Sequence, residues 1–347
     1  MVKNLIDKLH QEKHLSKEEW VTVLDNYTDD DRKYAEQIAR EITVSKFGKK
    51  IYFRGIIEFS NICKNDCLYC GIRKSNRCVS RYRLSKKEII DCAEDAHKHG
   101  FRTFVLQSGE DGHFSDEVLC DIVKSLKERL PDCAVTLSVG ERSRESYKRL
   151  YQAGADRYLL RHEAACERLY GEIHPSEMIH SERILCLKNL REIGFQTGCG
   201  FMVGVPHQTN EDIADDMVFM QDFKPQMVGL GPFIPHKDTP FGAYPAGSVN
   251  LTLMLISLTR IMLPNALMPA TTALGTAKGD GRQLGVLAGC NVVMPNLSPE
   301  SVRKKYMLYD NKIGTEFDAE AGIKMLSGQM EEIGYEVVCT RGDYTEN

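Results

Sequence analysis

The chain has 347 residues, a formal net charge of −4 and a pI near 6.2, a balance that argues against generic nucleic-acid binding. With 42% hydrophobic and 27% charged residues it has enough apolar material for a sizeable core without disulfide staples. The N-terminal run MVKNLIDKLHQEKHLSKEEW lacks the apolar stretch of a signal peptide, and the longest apolar run, LTLMLISL from Leu251, is too short to cross a bilayer. A cytoplasmic chain with no membrane association is expected.

Residues 1–48 alternate apolar and charged positions at helical spacing, which predicts two or three helices packed outside the main unit. The period then changes. IYFRGIIEF from Ile51 reads as a first strand, and a capping box from Ser85 to Glu88 opens a helix over 85–99. Strands follow at 102–107, 134–139, 157–160, 196–203 and 227–232. Helices near 115–130, 143–153, 181–193, 210–222 and 250–263 come between and after them. MPATTA at 268 and CNVVMP at 290 read as strands seven and eight, and a last helix runs near 319–333. Eight strands alternating with helices predict an α/β fold, a complete (β/α)8 TIM-type barrel with an N-terminal helical extension. The expected division is 1–48 for the helices and 49–347 for the barrel with its C-terminal helix.

Polar and glycine-rich residues collect where these strands end. Ser108-Gly109-Glu110 follows the second strand, Ser138 to Glu141 the third, Arg161-His162-Glu163 the fourth, and Thr271-Thr272 the seventh. In parallel barrels the C-terminal strand ends carry the active site.

Twelve cysteines in a cytoplasmic chain point to metal or redox chemistry. Three of them, Cys63, Cys67 and Cys70, form C-x3-C-x2-C directly after the first strand. Zinc needs a fourth ligand, and no second cysteine pair is present; the nearest downstream histidine is His97. A redox dithiol leaves the extra cysteine unexplained. Thiolates also hold iron–sulfur clusters, and three of them leave one iron open for another ligand. From Arg54 to Arg83 seven basic residues face two acidic ones, either a solvated rim or a dock for an anionic substrate or an acidic electron donor.

CKNDCLYC resembles the signature of radical S-adenosylmethionine (SAM) enzymes. The resemblance implies one 4Fe-4S cluster held by Cys63, Cys67 and Cys70, with SAM on the open iron and Tyr69 near the adenine. It also implies SAM contacts from Gln107, Ser108 and Glu110, where SGE stands for the commoner GGE, and from Ser138, Glu163, Arg183 and Met202. In GFMVGVPHQT, His207 stands where glycine is commoner in the corresponding motif.

Longer segments, among them IIEFSNICKNDCLYCGIRK, GADRYLLRHE, MVGLGPFIPHKDTP and GCNVVMPN, are similar to the HydE family of FeFe-hydrogenase maturases. That similarity implies a SAM-derived radical acting on a small organometallic substrate, an iron–cysteine complex with carbonyl and cyanide made by the tyrosine-lyase maturase. The implied partners are an electron donor such as ferredoxin or flavodoxin and the GTPase scaffold maturase. Thr136, Arg157, Arg161, Thr271, Thr272 and Tyr306 are the expected interior contacts, with Tyr309 beside Tyr306. Arg157 and Arg161, four apart on one strand, are expected to share a face. Some HydE members carry a second cluster near the C-terminus. The matching positions here are Gly314, Gly322 and Met325, so no second cluster is expected. A biotin synthase-like or methylornithine synthase-like enzyme is the alternative. Sulfur insertion of the biotin type needs a sacrificial cluster, for which Cys133, Cys199 and Cys290 are the conceivable ligands.

Overall fold

The computed structural model describes residues 1–315 and 319–346. Three helices open the chain: α1 (Val2–Glu12), α2 (Lys17–Asn26) and α3 (Asp29–Phe47). Reciprocal capping boxes start α2 (Ser16 with Glu19) and α3 (Thr28 with Asp31), so two of the otherwise orphaned N–H groups at each end are satisfied locally.

The run from Ile51 forms two strands rather than one, β1 (Lys50–Phe53) and β2 (Gly55–Ser60), broken at buried Arg54. Then α4 (Lys86–Lys98), β3 (Thr103–Ser108), α5 (Asp116–Arg129), β4 (Ala134–Ser138), α6 (Arg144–Gln152) and β5 (Arg157–Leu159) alternate within one or two residues of expectation. The Ser85–Glu88 box caps α4. The short α7 (Glu167–Ile173), absent from the sequence expectation, precedes α8 (His180–Ile193). Two expected strands are each split by a glycine: β6 (Gln196–Cys199) from β7 (Met202–Val203) at Gly200, and β8 (Met227–Val228) from β9 (Gly231–Pro232) at Gly229. At Gly200 a side chain would meet Gly229 O at 2.1 Å and the φ is +145°, so only glycine fits. Between these pairs runs α9 (Asn210–Phe223), and α10 (Val249–Met262) follows them. Helices α2 and α3 pack on α9 and α10 respectively.

MPATTA is not a regular strand. Leu267 and Pro269 make single parallel bridges to Met227 and Val292, and Thr271 then caps α11 (Thr272–Ala277) with its hydroxyl. Proline at 269 has no N–H to extend a ladder. The chain closes with α12 (Gly281–Leu287), β10 (Val292–Val293), α13 (Glu300–Arg303), α14 (Ala319–Glu332) and β11 (Glu336–Val338). The last strand, unanticipated, pairs with β1.

All pairings between the named strands are parallel. One sheet runs β2-β3-β4-β5-β6-β8, a second β10-β1-β11, and β7 pairs with β9. Further backbone bonds run from Val228 N to Leu267 O, Ala270 N to Val292 O, Arg54 N to Val293 O and Ile56 N to Pro295 O. Strand β2 is buried along its whole length, as expected of a parallel strand covered on both faces. No helix among the described residues is long and apolar enough to cross a membrane.

Candidate active site

The loop after β2 is anchored before it reaches the cysteines. Fully buried Asn61 donates to Ser80 O (2.9 Å) and Lys305 O (2.7 Å) and accepts from Tyr82 N (2.8 Å). Within the loop Lys74 N bonds Asn65 O at 2.9 Å, and Glu110 N reaches Cys63 Sγ at 3.4 Å. Gly109 permits that approach, since a Cβ there would lie 2.3 Å from Ile62 O.

Cys63, Cys67 and Cys70 line one cavity of about 330 Å³ at the C-terminal ends of the strands, a volume suited to a small-molecule ligand. Burial raises all three thiols, Cys70 to about 12; the Cys70 and Cys63 thiolates raise Cys67 further, and Cys63 raises Cys70. Ionising the set therefore calls for compensating cations, which bound metal supplies.

Tyr69, Gln107, Ser108, Glu110, Ser138, Arg161, Glu163, Arg183, Met202, Thr271 and Tyr306 line the same cavity, with Tyr309 beside them. Glu163 adopts φ 65°, a region costly for a non-glycine residue. Its Oε1 accepts from Arg161 Nε at 3.0 Å, while Oε2 is buried without a partner. A buried carboxylate oxygen left open beside a cavity fits a ligand that brings hydroxyl or ammonium donors. Arg183 is buried, donates to Arg161 O at 2.9 Å and is paired with Glu141. Glu110 accepts from Glu141 N at 3.1 Å and pairs with Lys64 at 3.1 Å. Gln107 donates to Tyr306 Oη at 3.3 Å, and Lys312, paired with Glu58, lies over the Tyr306 ring.

Three expected contacts lie elsewhere. Arg157 begins β5 and Arg161 lies beyond its end, so at about 3.3 Å per residue they are roughly 13 Å apart along the chain. Arg157 serves the opposite end of the sheet, donating to Asp343 Oδ1 and Arg341 O, both at 2.6 Å. The shared face expected of the two arginines thus does not give a shared cavity. Thr136 pairs with Arg157 across the sheet, one layer below Ser138, with its hydroxyl buried and unpartnered. Thr272 borders a smaller cavity with Glu58 and Arg282.

Two further residues join the site, neither among the expected SAM or interior contacts. Glu141 holds Arg183, and buried His174 meets the Tyr69 hydroxyl at 3.2 Å. His174 Nδ1 faces Tyr170 O at 2.9 Å, so Nδ1 carries the hydrogen and Nε2 accepts from Tyr69. Burial, the dominant cause, lowers His174 to about 4. Cys133, Cys199 and Cys290 are buried, and none of them lines the cavity.

A family model described as the Radical SAM superfamily matches residues 57–220. The chain is 46% identical over 277 residues to the [FeFe] hydrogenase maturase subunit HydE of Thermotoga maritima, covering 80% of this chain and 79% of that one. It is 26% identical to 3-methylornithine synthase of Methanosarcina acetivorans, over 86% of this chain and 83% of the relative. Among solved structures, methylornithine synthase (PylB) superposes with a TM-score of 0.85 at 26% identity, covering 96% and 97% of the two chains. The [FeFe]-hydrogenase maturase HydG gives 0.81 at 19% identity, over 97% and 76%, a likeness of fold alone.

Proposed function

Because the chain belongs to the radical SAM superfamily and, within it, to the family of the [FeFe] hydrogenase maturase HydE, we propose that it cleaves SAM reductively to serve assembly of the FeFe-hydrogenase di-iron subcluster. The observation that carries this reading is the convergence of three loop thiols and the open Glu163 oxygen on one cavity.

In this reading Cys63, Cys67 and Cys70 hold a 4Fe-4S cluster and leave one iron for SAM. Bound together, cluster and SAM supply one-electron cleavage and a 5′-deoxyadenosyl radical. The chain's own residues do the positioning. Glu163 Oε2 accepts a donor from SAM, and Arg183, oriented by Glu141, offers its guanidinium to an anionic group. Tyr69 is aimed by its bond to His174 and flanks the cluster loop. Gln107, Ser108, Glu110, Ser138 and Met202 shape the rest of the SAM wall. Arg161, Thr271 and Tyr306 face the remaining space, where the substrate is an iron–cysteine complex with carbonyl and cyanide from the tyrosine-lyase maturase.

The reading includes a closed (β/α)8 barrel, supported by the backbone bonds through 267–270 and 291–297, with residues 1–48 as a helical appendage. It also includes a cytoplasmic setting, a ferredoxin or flavodoxin donor and a GTPase scaffold partner. Biotin-type sulfur insertion is disfavoured because its candidate cysteines lie outside the cavity. The test is complementation: the chain should restore hydrogenase activity to cells lacking their own HydE. A chain that cleaves SAM but fails to restore it, and instead forms 3-methylornithine, would refute the assignment.

A further inference from the structure

Three guanidiniums favour the ionised thiols electrostatically: Arg81 acts on Cys63 and Cys70, Arg183 on Cys67 and Arg161 on Cys70. Two of these cations are neutralised, Arg161 by Glu163 at 3.0 Å and Arg183 by Glu141. Arg81 has no carboxylate partner among the described residues. Its bonds go to main-chain oxygens instead. Nη1 donates to Asn61 O (2.6 Å) and Ile72 O (2.8 Å), and Nη2 to Arg73 O (2.6 Å) and Asn76 O (3.2 Å).

These carbonyls bracket the cysteines. Asn61 stands two residues before Cys63 and Ile72 two residues after Cys70. One planar fork therefore ties the entry of the loop to its exit, an arrangement that a compact ammonium does not reproduce. Neutral carbonyls satisfy the N–H groups without cancelling the charge. The nearby carboxylates have partners of their own, Asp66 with Arg73 at 2.7 Å and Glu110 with Lys64 at 3.1 Å.

We infer that Arg81 is a positioning residue that clips the cysteine loop shut and, through its uncompensated charge, raises the reduction potential of the cluster held there. The inference rests on the function proposed above. Taking one electron from the external donor makes the centre more negative by one charge, and a fixed cation nearby favours that state. Partial exposure of Arg81 screens the effect without abolishing it.

The test is a redox titration of the anaerobically reconstituted full chain, followed by electron paramagnetic resonance, with iron release to a chelator measured alongside. Arg81→Gln is expected to titrate at a lower potential than wild type. Arg81→Lys is expected to keep a near-wild-type potential yet release iron several-fold faster. A merely structural role would speed release in both variants and leave the potential of the retained cluster unchanged, which overturns the charge effect. Should Arg81→Gln hold no cluster, Arg81→Lys decides: a lowered potential or an unchanged release rate contradicts the inference. A wild-type chain that takes up no cluster refutes the proposed function instead, so the two failures are distinct.

Discussion

Arg161 and Glu163 form a pair in which the arginine uses half of the carboxylate. The bond to Oε1 is 3.0 Å long, and Oε2 stays buried and open at a strained backbone position. Replacing Glu163 with Gly relieves the φ strain and removes the acceptor together. We expect Glu163→Gly to fold with unimpaired stability yet lose SAM affinity about 10- to 100-fold, the range of a charge-assisted hydrogen bond. Calorimetric SAM binding to the reconstituted chain checks this; wild-type affinity would remove Glu163 from the SAM wall.

The cysteine trio is separable from the other thiols. Ser in place of Cys63, Cys67 or Cys70 should abolish the cluster absorbance and reduce iron from about four per chain toward zero. Cys78→Ser, at an exposed position eight residues downstream of Cys70, should retain both. Iron retained in the triple variant would point to a different centre.

Arg157 gives a stability prediction rather than a catalytic one. Its side chain is fully buried and its carboxylate partner comes from the C-terminal tail at 2.6 Å. Asp343→Ala strands a buried guanidinium next to Arg54, also buried, and should cost about 2–4 kcal/mol. Adding Arg157→Met to that variant should recover part of the loss, read from denaturant midpoints. SAM cleavage by Arg157→Met should stay close to wild type. A large drop in turnover with normal stability would return Arg157 to the site.

The arginine pair also shows what the sequence made legible. Strand order, helix bounds and the polar clusters at the strand ends followed from periodicity and capping residues such as Ser85 and Glu88. The cysteine loop and the SGE turn place the thiols against Ser108 and Glu110. Arg157 was misplaced because strand alternation fixes the face of a side chain and says nothing of its depth along the strand. The tail that neutralises it through Asp343, and the strand β11 that brings it there, have no strong local pattern. MPATTA misled for a related reason: its apolar, β-branched composition suits a strand, but Pro269 and the capping hydroxyl of Thr271 turn the chain into a helix. His174 acts through Tyr69 and no spacing rule marks it; Glu141 closes the polar cluster after the third expected strand, but nothing local shows that it holds Arg183.

His174 makes the fold sensitive to acid. Its folded pKa is lowered to about 4 from 6.5, so between these values the unfolded chain binds more protons. The contribution is fully present above about pH 6.5 and is lost as pH falls through about 4, amounting to on the order of 2–3 kcal/mol. His174→Gln keeps an acceptor for Tyr69 but cannot titrate. Relative to that variant, wild type should lose stability as pH drops from 7.5 to 5, in paired urea melts. Parallel curves for the two proteins would show that His174 is not held neutral by burial.

The most direct measurement is the product of SAM itself. Wild-type chain, reconstituted anaerobically with iron and sulfide and reduced with dithionite, should release 5′-deoxyadenosine and methionine in equal amounts, and the Cys63/Cys67/Cys70 triple serine variant should release neither. No 5′-deoxyadenosine from a chain that carries its full complement of iron would contradict the assignment of the three thiols to a SAM-cleaving cluster.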